Sequence, residues 1–154
     1  MNTVQTENGN GLSSTNTTSR FDSLVSGLKG SKISQSKLRD EVFNLLLDDA
    51  TESPSAGKFY TFEYDPKFAD NLKEWDEYPI IYAMEFKKNN LIGANIHYIR
   101  TTNARLKALN SMSFPKKTLR QYIPKRADSI FFEIKESEVQ LLSTLPLEKF
   151  HYNR

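Results

Sequence analysis

The stretch YPIIYAMEFKKNNLIGANIHYI, residues 78–99, decides how this chain is read. Two apolar runs, PIIYAMEF and LIGANIHYI, flank Lys87, Lys88, Asn89 and Asn90. Asn tolerates the left-handed backbone of a tight turn, so the spacing predicts a β-hairpin. The same residues also present Glu85, Phe86 and Lys87, the E-x-K of a metal-dependent nuclease strand. Asp65 and Asp76 lie upstream, as does the helical acid Glu41. A nuclease needs those carboxylates to hold a divalent ion and the Lys to steady the attacking water. Alternation places Glu85 and Lys87 on the face of Ile81 and Ala83. The helix that should follow E-x-K is replaced by a returning strand, which makes the hairpin the stronger reading.

Outward from the hairpin, KFYTFEY (58–64) alternates as a strand and Asp65 and Pro66 end it. TTNARLKALNS reads as a helix capped by Thr101 or Thr102, and PKKTLRQYI as a second with Pro115 near its first turn. SIFFEI is a strand, and SEVQLLSTLPLEKF supplies a last short one. Gly93 inside a strand marks a bulge or a close backbone approach. The expected fold is α+β: a small antiparallel sheet or partly open barrel with short inserted helices. Before it come a linker, TESPSAGK, and a helix over SKLRDEVFNLLLDD, with Ser36 as N-cap and Leu38, Val42, Leu45 and Leu46 as its stripe. Residues 1–35 form an extended polar arm with one short amphipathic anchor: Phe21, Leu24, Val25 and Leu28 at helical spacing. The expected division is therefore 1–35, 36–57 and 58–154. Residues 1–20 hold little that can be buried and alone should be disordered. Asn16, Thr17 and Thr18 match a glycosylation acceptor, which matters only on a secretory route.

The chain has no cysteine, which excludes disulfides and thiolate metal sites. No apolar run approaches the roughly 20 residues of a membrane span, and the N-terminus lacks the regions of a signal peptide. His97 and His151 sit at no metal-ligand spacing, and His97 reads as a hydrogen-bonded structural residue. No nucleophile elbow or P-loop appears, so no enzyme activity and no cofactor is expected.

A net charge of +2 conceals a segregation. Residues 86–127 carry ten basic side chains and no acidic one, whereas 63–85 carry seven acids against Lys67 and Lys73. Arg100, Arg105, Lys107, Lys116, Lys117, Arg120, Lys125 and Arg126 are the candidates for contact with an anionic partner. Their irregular spacing suits a phosphate backbone, with no reading of sequence. Tyr98 and Tyr122 are candidates for stacking on bases. An acidic protein surface is the other partner such a stretch fits.

Several blocks taken together resemble a family of small proteins of tailed bacteriophages, notably contractile-tailed ones. FYTFEYDPK (59–67), WDEYPII (75–81) and GANIHYI (93–99) resemble its F-Y-x-F-x-Y-[DN]-P-K, Y-x-[FY]-P-[LI] and G-x-N-x-H-Y-[LI]. TLRQYIP (118–124) and LPLEKF (145–150) are similar to its later blocks. The resemblance covers residues 58–150 and departs at Lys73 to Asp76. It implies a non-enzymatic virion component of tail, baseplate or neck, in the host cytoplasm during assembly. The protein is accordingly expected in a multi-subunit assembly, with the N-terminal arm, which falls outside the resemblance, binding neighbouring virion proteins through Phe21, Leu24, Val25 and Leu28. The alternative is a nucleic-acid-binding accessory protein of DNA packaging or replication that uses residues 87–126.

Overall fold

The computed structural model describes residues 19–28, 32–87 and 90–153. It divides into two compact units, Met1–Lys32 and Ile33–Arg154. In the first, helix α1 (Asp22–Leu28) forms as the spacing of its apolar residues predicts. Phe21 is fully buried, and Leu24, Val25 and Leu28 are partly so. Residues 1–18 and 29–31 of the predicted arm, Asn16 to Thr18 among them, lie outside the described residues, and Gln35 already belongs to the next helix.

The second unit is α+β. Its strands are β1 (Ala50–Thr51), β2 (Phe59–Thr61), β3 (Glu74–Asp76), β4 (Ile80–Lys87), β5 (Asn90–Asn95), β6 (Leu119–Tyr122), β7 (Phe131–Ile134) and β8 (Phe150–Tyr152). Six of them make one antiparallel sheet in the order β1-β7-β2-β4-β5-β6, while β3 and β8 pair separately. The sheet does not close into a barrel: β1 and β6 are its edges. Both faces are covered. On one, Tyr60, Phe62, Ile81, Leu91, Tyr122 and Phe131 form a continuous aromatic-rich cluster. On the other, Phe43 of helix α2 (Gln35–Leu46) meets Phe132 edge-on, with ring centroids 4.9 Å apart. Among the described residues no helix is long and apolar enough to cross a membrane.

The hairpin forms as predicted, with Lys87 opposite Asn90. The connecting Lys88 and Asn89 lie outside the described residues. The face assigned to Glu85 and Lys87 is corrected. Ala83 pairs with Gly93 and Glu85 with Ile92, so Met84 is a bulge. One extra residue shifts every later side chain to the opposite side. Phe86 therefore joins Ile81 and Ala83 against the aromatic cluster, and Glu85 and Lys87 turn away from it. Gly93 fits both of its predicted roles. It faces the bulge, and a Cβ there would come within 3.0 Å of the Tyr82 carbonyl oxygen.

Other boundaries move for local reasons. Ser34, rather than Ser36, caps α2, its hydroxyl accepting from Lys37 N–H at 3.1 Å. Strand β5 ends at Asn95, and Ile96–Tyr98 is a 3-10 turn, so His97 is not on a strand. Helix α3 (Thr102–Ser111) is capped by Thr101 as expected. The helix predicted over PKKTLRQYI is instead a 3-10 turn at Lys116–Thr118 followed by β6. The tail, read as a strand, first forms helix α4 (Glu136–Ser143), which buries Val139 and Leu142, and only then β8.

Candidate nucleic-acid interface

The acid-free stretch folds into one part of the sheet. Residues 86–127 supply the end of β4, then β5, the 96–98 turn, α3, the 116–118 turn and the edge strand β6. Leu91 pairs with Tyr122 and Ala94 with Leu119. Continuing that register brings the 116–118 turn alongside the 96–98 turn, and the two pack together. Lys116, Lys117 and Arg120 thereby approach the segment that leads to Arg100. Lys116, Lys117 and Arg100 are exposed, and Arg120 is half-buried. The guanidinium of Arg120 lies 4.0 Å from the ring centroid of Tyr98, which holds a long side chain in one place on the open edge.

The other predicted cations are dispersed. Lys125 and Arg126 lie beyond the far end of β6 and are exposed; Arg126 forms a fork with the exposed Asp128 at 3.2 and 3.3 Å. Lys107 is exposed on α3. Arg105 is removed from the list of phosphate contacts, because it is only 7% exposed and its donors are used internally. Its Nε donates to the Ile99 carbonyl at 2.7 Å and one terminal nitrogen to the Ser143 carbonyl at 2.9 Å. The other reaches the His97 carbonyl and the Glu148 carboxylate, each at 3.4 Å. Tyr122 is likewise withdrawn from any stacking role: it is buried edge-on to Tyr64 and Phe62.

The nuclease constellation is not assembled. Thr61 pairs with Ile80, so the chain runs toward Asp65 at one end of β4 while Glu85 lies near the other. Glu85 forms an exposed ion pair with Lys87 at 3.2 Å. Asp76 is engaged elsewhere, and among the described residues no group of three or more metal-ligating side chains gathers.

Asp76 belongs to a buried polar centre that sequence reasoning missed. His97 Nδ1–H donates to Asp76 Oδ2 at 2.6 Å, and the Asn95 amide donates to the same oxygen at 3.1 Å. Oδ1 accepts the backbone N–H groups of Tyr78 and Lys149 at 3.1 and 3.0 Å. Burial alone would raise the Asp76 pKa, but the bond and charge of His97, with the donors from Lys149 and Asn95, hold it below the ordinary aspartate value. The centre ties β3 to the end of β5 and to the chain entering β8, and so fixes the 96–98 turn on which Tyr98 and Arg100 depend. His97 is the hydrogen-bonded structural residue expected. Its partner was hidden by the long sequence separation, although the W-D and N-x-H blocks each carried half of the signal. His151 bonds Glu77 at 2.7 Å and stacks on Trp75, a second tie between β3 and β8.

The family model described as phage T4 terminal DNA protecting protein matches residues 26–116. No curated protein matches the chain, and neither does any solved structure. The expectation of a tail, baseplate or neck component laced to its neighbours by an N-terminal arm is overturned by this match, since the matching family is described by protection of terminal DNA. The phage resemblance itself holds at the level of a phage protein family. The match takes in Arg100, Lys107 and Lys116 together with the whole buried polar centre except Lys149, and it stops one residue before Lys117. Well over half of the sequence is covered, and the chain belongs to the phage T4 terminal DNA protecting protein family.

Proposed function

We propose that the protein binds the ends of duplex DNA and shields them, gripping phosphates along the β5–β6 edge. The observation that carries this reading is that an acid-free stretch of the sequence brings Lys116, Lys117 and Arg120 together at one edge of the sheet, next to the segment that leads to Arg100. Lys116 and Lys117 are exposed there, and Arg120 is braced on Tyr98. The family's description supplies the form of DNA, a terminus. Cations on turns and on a sheet edge neutralise phosphates and release counterions, but they present no helix to a groove for base reading. Binding is accordingly tolerant of sequence and steeply dependent on salt.

The test replaces Lys116, Lys117 and Arg120 by Ala and measures affinity for a short linear duplex across a salt series. Each lost phosphate contact should flatten the log–log salt slope by about 0.9. The triple variant should therefore bind at least about tenfold more weakly near 0.1 M salt, with a slope shallower by about 2–3. It should also lose protection of linear DNA against an exonuclease. Unchanged affinity and slope would remove the edge from consideration.

A further inference from the structure

At the far end of β6 from Lys116 lies a pocket of about 220 Å³ between the β4–β5 hairpin, the loop after β1 and the loop after β6. That is below the roughly 300 Å³ at which sites for drug-sized ligands begin, and it suits a single ring system. Its inner wall is apolar: Leu91 and Phe131 are buried, and the half-buried Phe86 stands edge-on to Phe131. Asn90 also lines it, and the Asn90 Oδ1 is enclosed yet meets no hydrogen-bond donor. An enclosed acceptor without a donor is costly. The terminal torsion of Asn is soft, so turning the amide toward an occupant gives that oxygen its missing partner. Glu52, a second acceptor, and the cationic Arg126 also line it. The site thus offers an aromatic surface, acceptors for N–H groups and a cation.

We propose that this pocket holds one unpaired nucleobase at a DNA terminus. The base stacks on Phe86, its ring or exocyclic N–H donates to Asn90 Oδ1, and its phosphate meets Arg126. This proposal rests on the DNA-end reading and adds to it a reason for preferring ends. The basic edge grips any duplex, whereas only a terminus can release a base without opening the helix on both sides. Every base has a π-face and an N–H donor, so the pocket tolerates any terminal nucleotide. The competing hold on Arg126 is its fork with Asp128, which is exposed and readily exchanged for a phosphate.

The experiment uses the full chain and linear duplexes with 2-aminopurine either as a single unpaired terminal nucleotide or in the interior. The expected result is a saturable fluorescence change confined to the terminal label. Competition by closed circular DNA then gives the preference for ends. Asn90→Leu should lower that preference by about three- to tenfold, and Phe86→Ala by about tenfold or more, with Lys116, Lys117 and the salt slope untouched. Circular dichroism confirms that each variant is folded, and the wild-type label comparison stands without either. Equal responses from the two labels, or a folded Asn90→Leu variant that keeps its preference for ends, would overturn the pocket while leaving DNA binding in place. No binding to any DNA would instead overturn the end-binding reading, and the pocket with it.

Discussion

Arg105 and Arg120 lie fifteen residues apart in the same acid-free stretch, and the fold puts them to opposite uses. Arg120 lies on an open strand edge with its guanidinium over the ring of Tyr98. Arg105 is inside, spanning the carbonyls of Ile99 and Ser143 and so joining α3 to the end of α4. The same contrast separates Lys116 and Lys117 from the Asp76–His97 centre. Charge outside the fold is available to a partner at little cost. Charge inside must be matched donor for acceptor, and it then determines where the outside charge stands. The polar centre and Arg105 should therefore govern stability, and the basic edge affinity, with little exchange between the two.

The largest effect expected is that of Asp76→Ala. It leaves the His97 Nδ1–H, the Asn95 amide and two backbone N–H groups without their acceptor. A loss of about 3–5 kcal/mol is expected, read by urea denaturation. The pH dependence sharpens the point. Asp76 is held below the ordinary aspartate value, so its stabilising contribution is complete above about pH 4 and is lost as the pH falls through the depressed folded-state value. Asp76→Asn should be less stable at neutral pH and should decline less steeply in acid. Matching acid limbs in the two proteins would show that the centre does not bind its proton as described.

Next in size is Arg105→Ala, which strips the buried Ile99 and Ser143 carbonyls of their donor for about 2–3 kcal/mol. Arg105→Lys should recover little, since one ammonium does not reproduce the guanidinium fork. At a temperature where both variants are folded, affinity for linear DNA should stay within about twofold of wild type, since a residue making no phosphate contact leaves the salt slope unchanged. A fall in the salt slope by about one would instead make Arg105 a phosphate contact and erase the distinction from Arg120.

How much of this was legible differs by level. The hairpin was, because two apolar runs flanked a polar, Asn-bearing turn. The bulge at Met84 was not, because alternation carries no mark of an inserted residue; Gly93 across from it was the only hint. PKKTLRQYI reads as a helix because Pro115 suits a first helical turn, although Lys116 and Lys117 do not suit the positive end of a helix. The free edge of β5, a tertiary partner invisible in local pattern, decided the matter. In the tail the last short strand forms at Phe150, and what the reading lacks is α4, although Val139 and Leu142 stand three apart at helical spacing. At the site, the cations were plain and their exposure was not. Yet Arg105, Ala108 and Leu109 share the buried side of α3 at helical spacing, so the removal of Arg105 from the surface was readable once α3 was accepted. The Asp76–His97 contact was beyond reach, since nothing local couples a strand residue to a turn 21 residues further along the chain.

The smallest effect expected belongs to Glu85 and Lys87, the surface counterpart of the buried pair. Their contact of 3.2 Å is longer than the 2.6 Å of Asp76 and His97, but separation is the lesser difference. Both side chains are substantially in water, whereas those of Asp76 and His97 are fully withdrawn from it. An exposed pair gives back in side-chain entropy and salt screening most of what attraction supplies. Glu85→Ala should therefore change stability by no more than about 0.5 kcal/mol. It should also leave DNA affinity and end protection as they were, because the Met84 bulge turns Glu85 away from Ile81 and Ala83 and the register keeps it far from Asp65. Nuclease assays with Mg²⁺ or Mn²⁺ give this prediction its sharpest form. A cleavage activity present in the wild type and abolished by Glu85→Ala would mean that a second carboxylate reaches Glu85 in the DNA complex, and the E-x-K reading of the hairpin would stand after all.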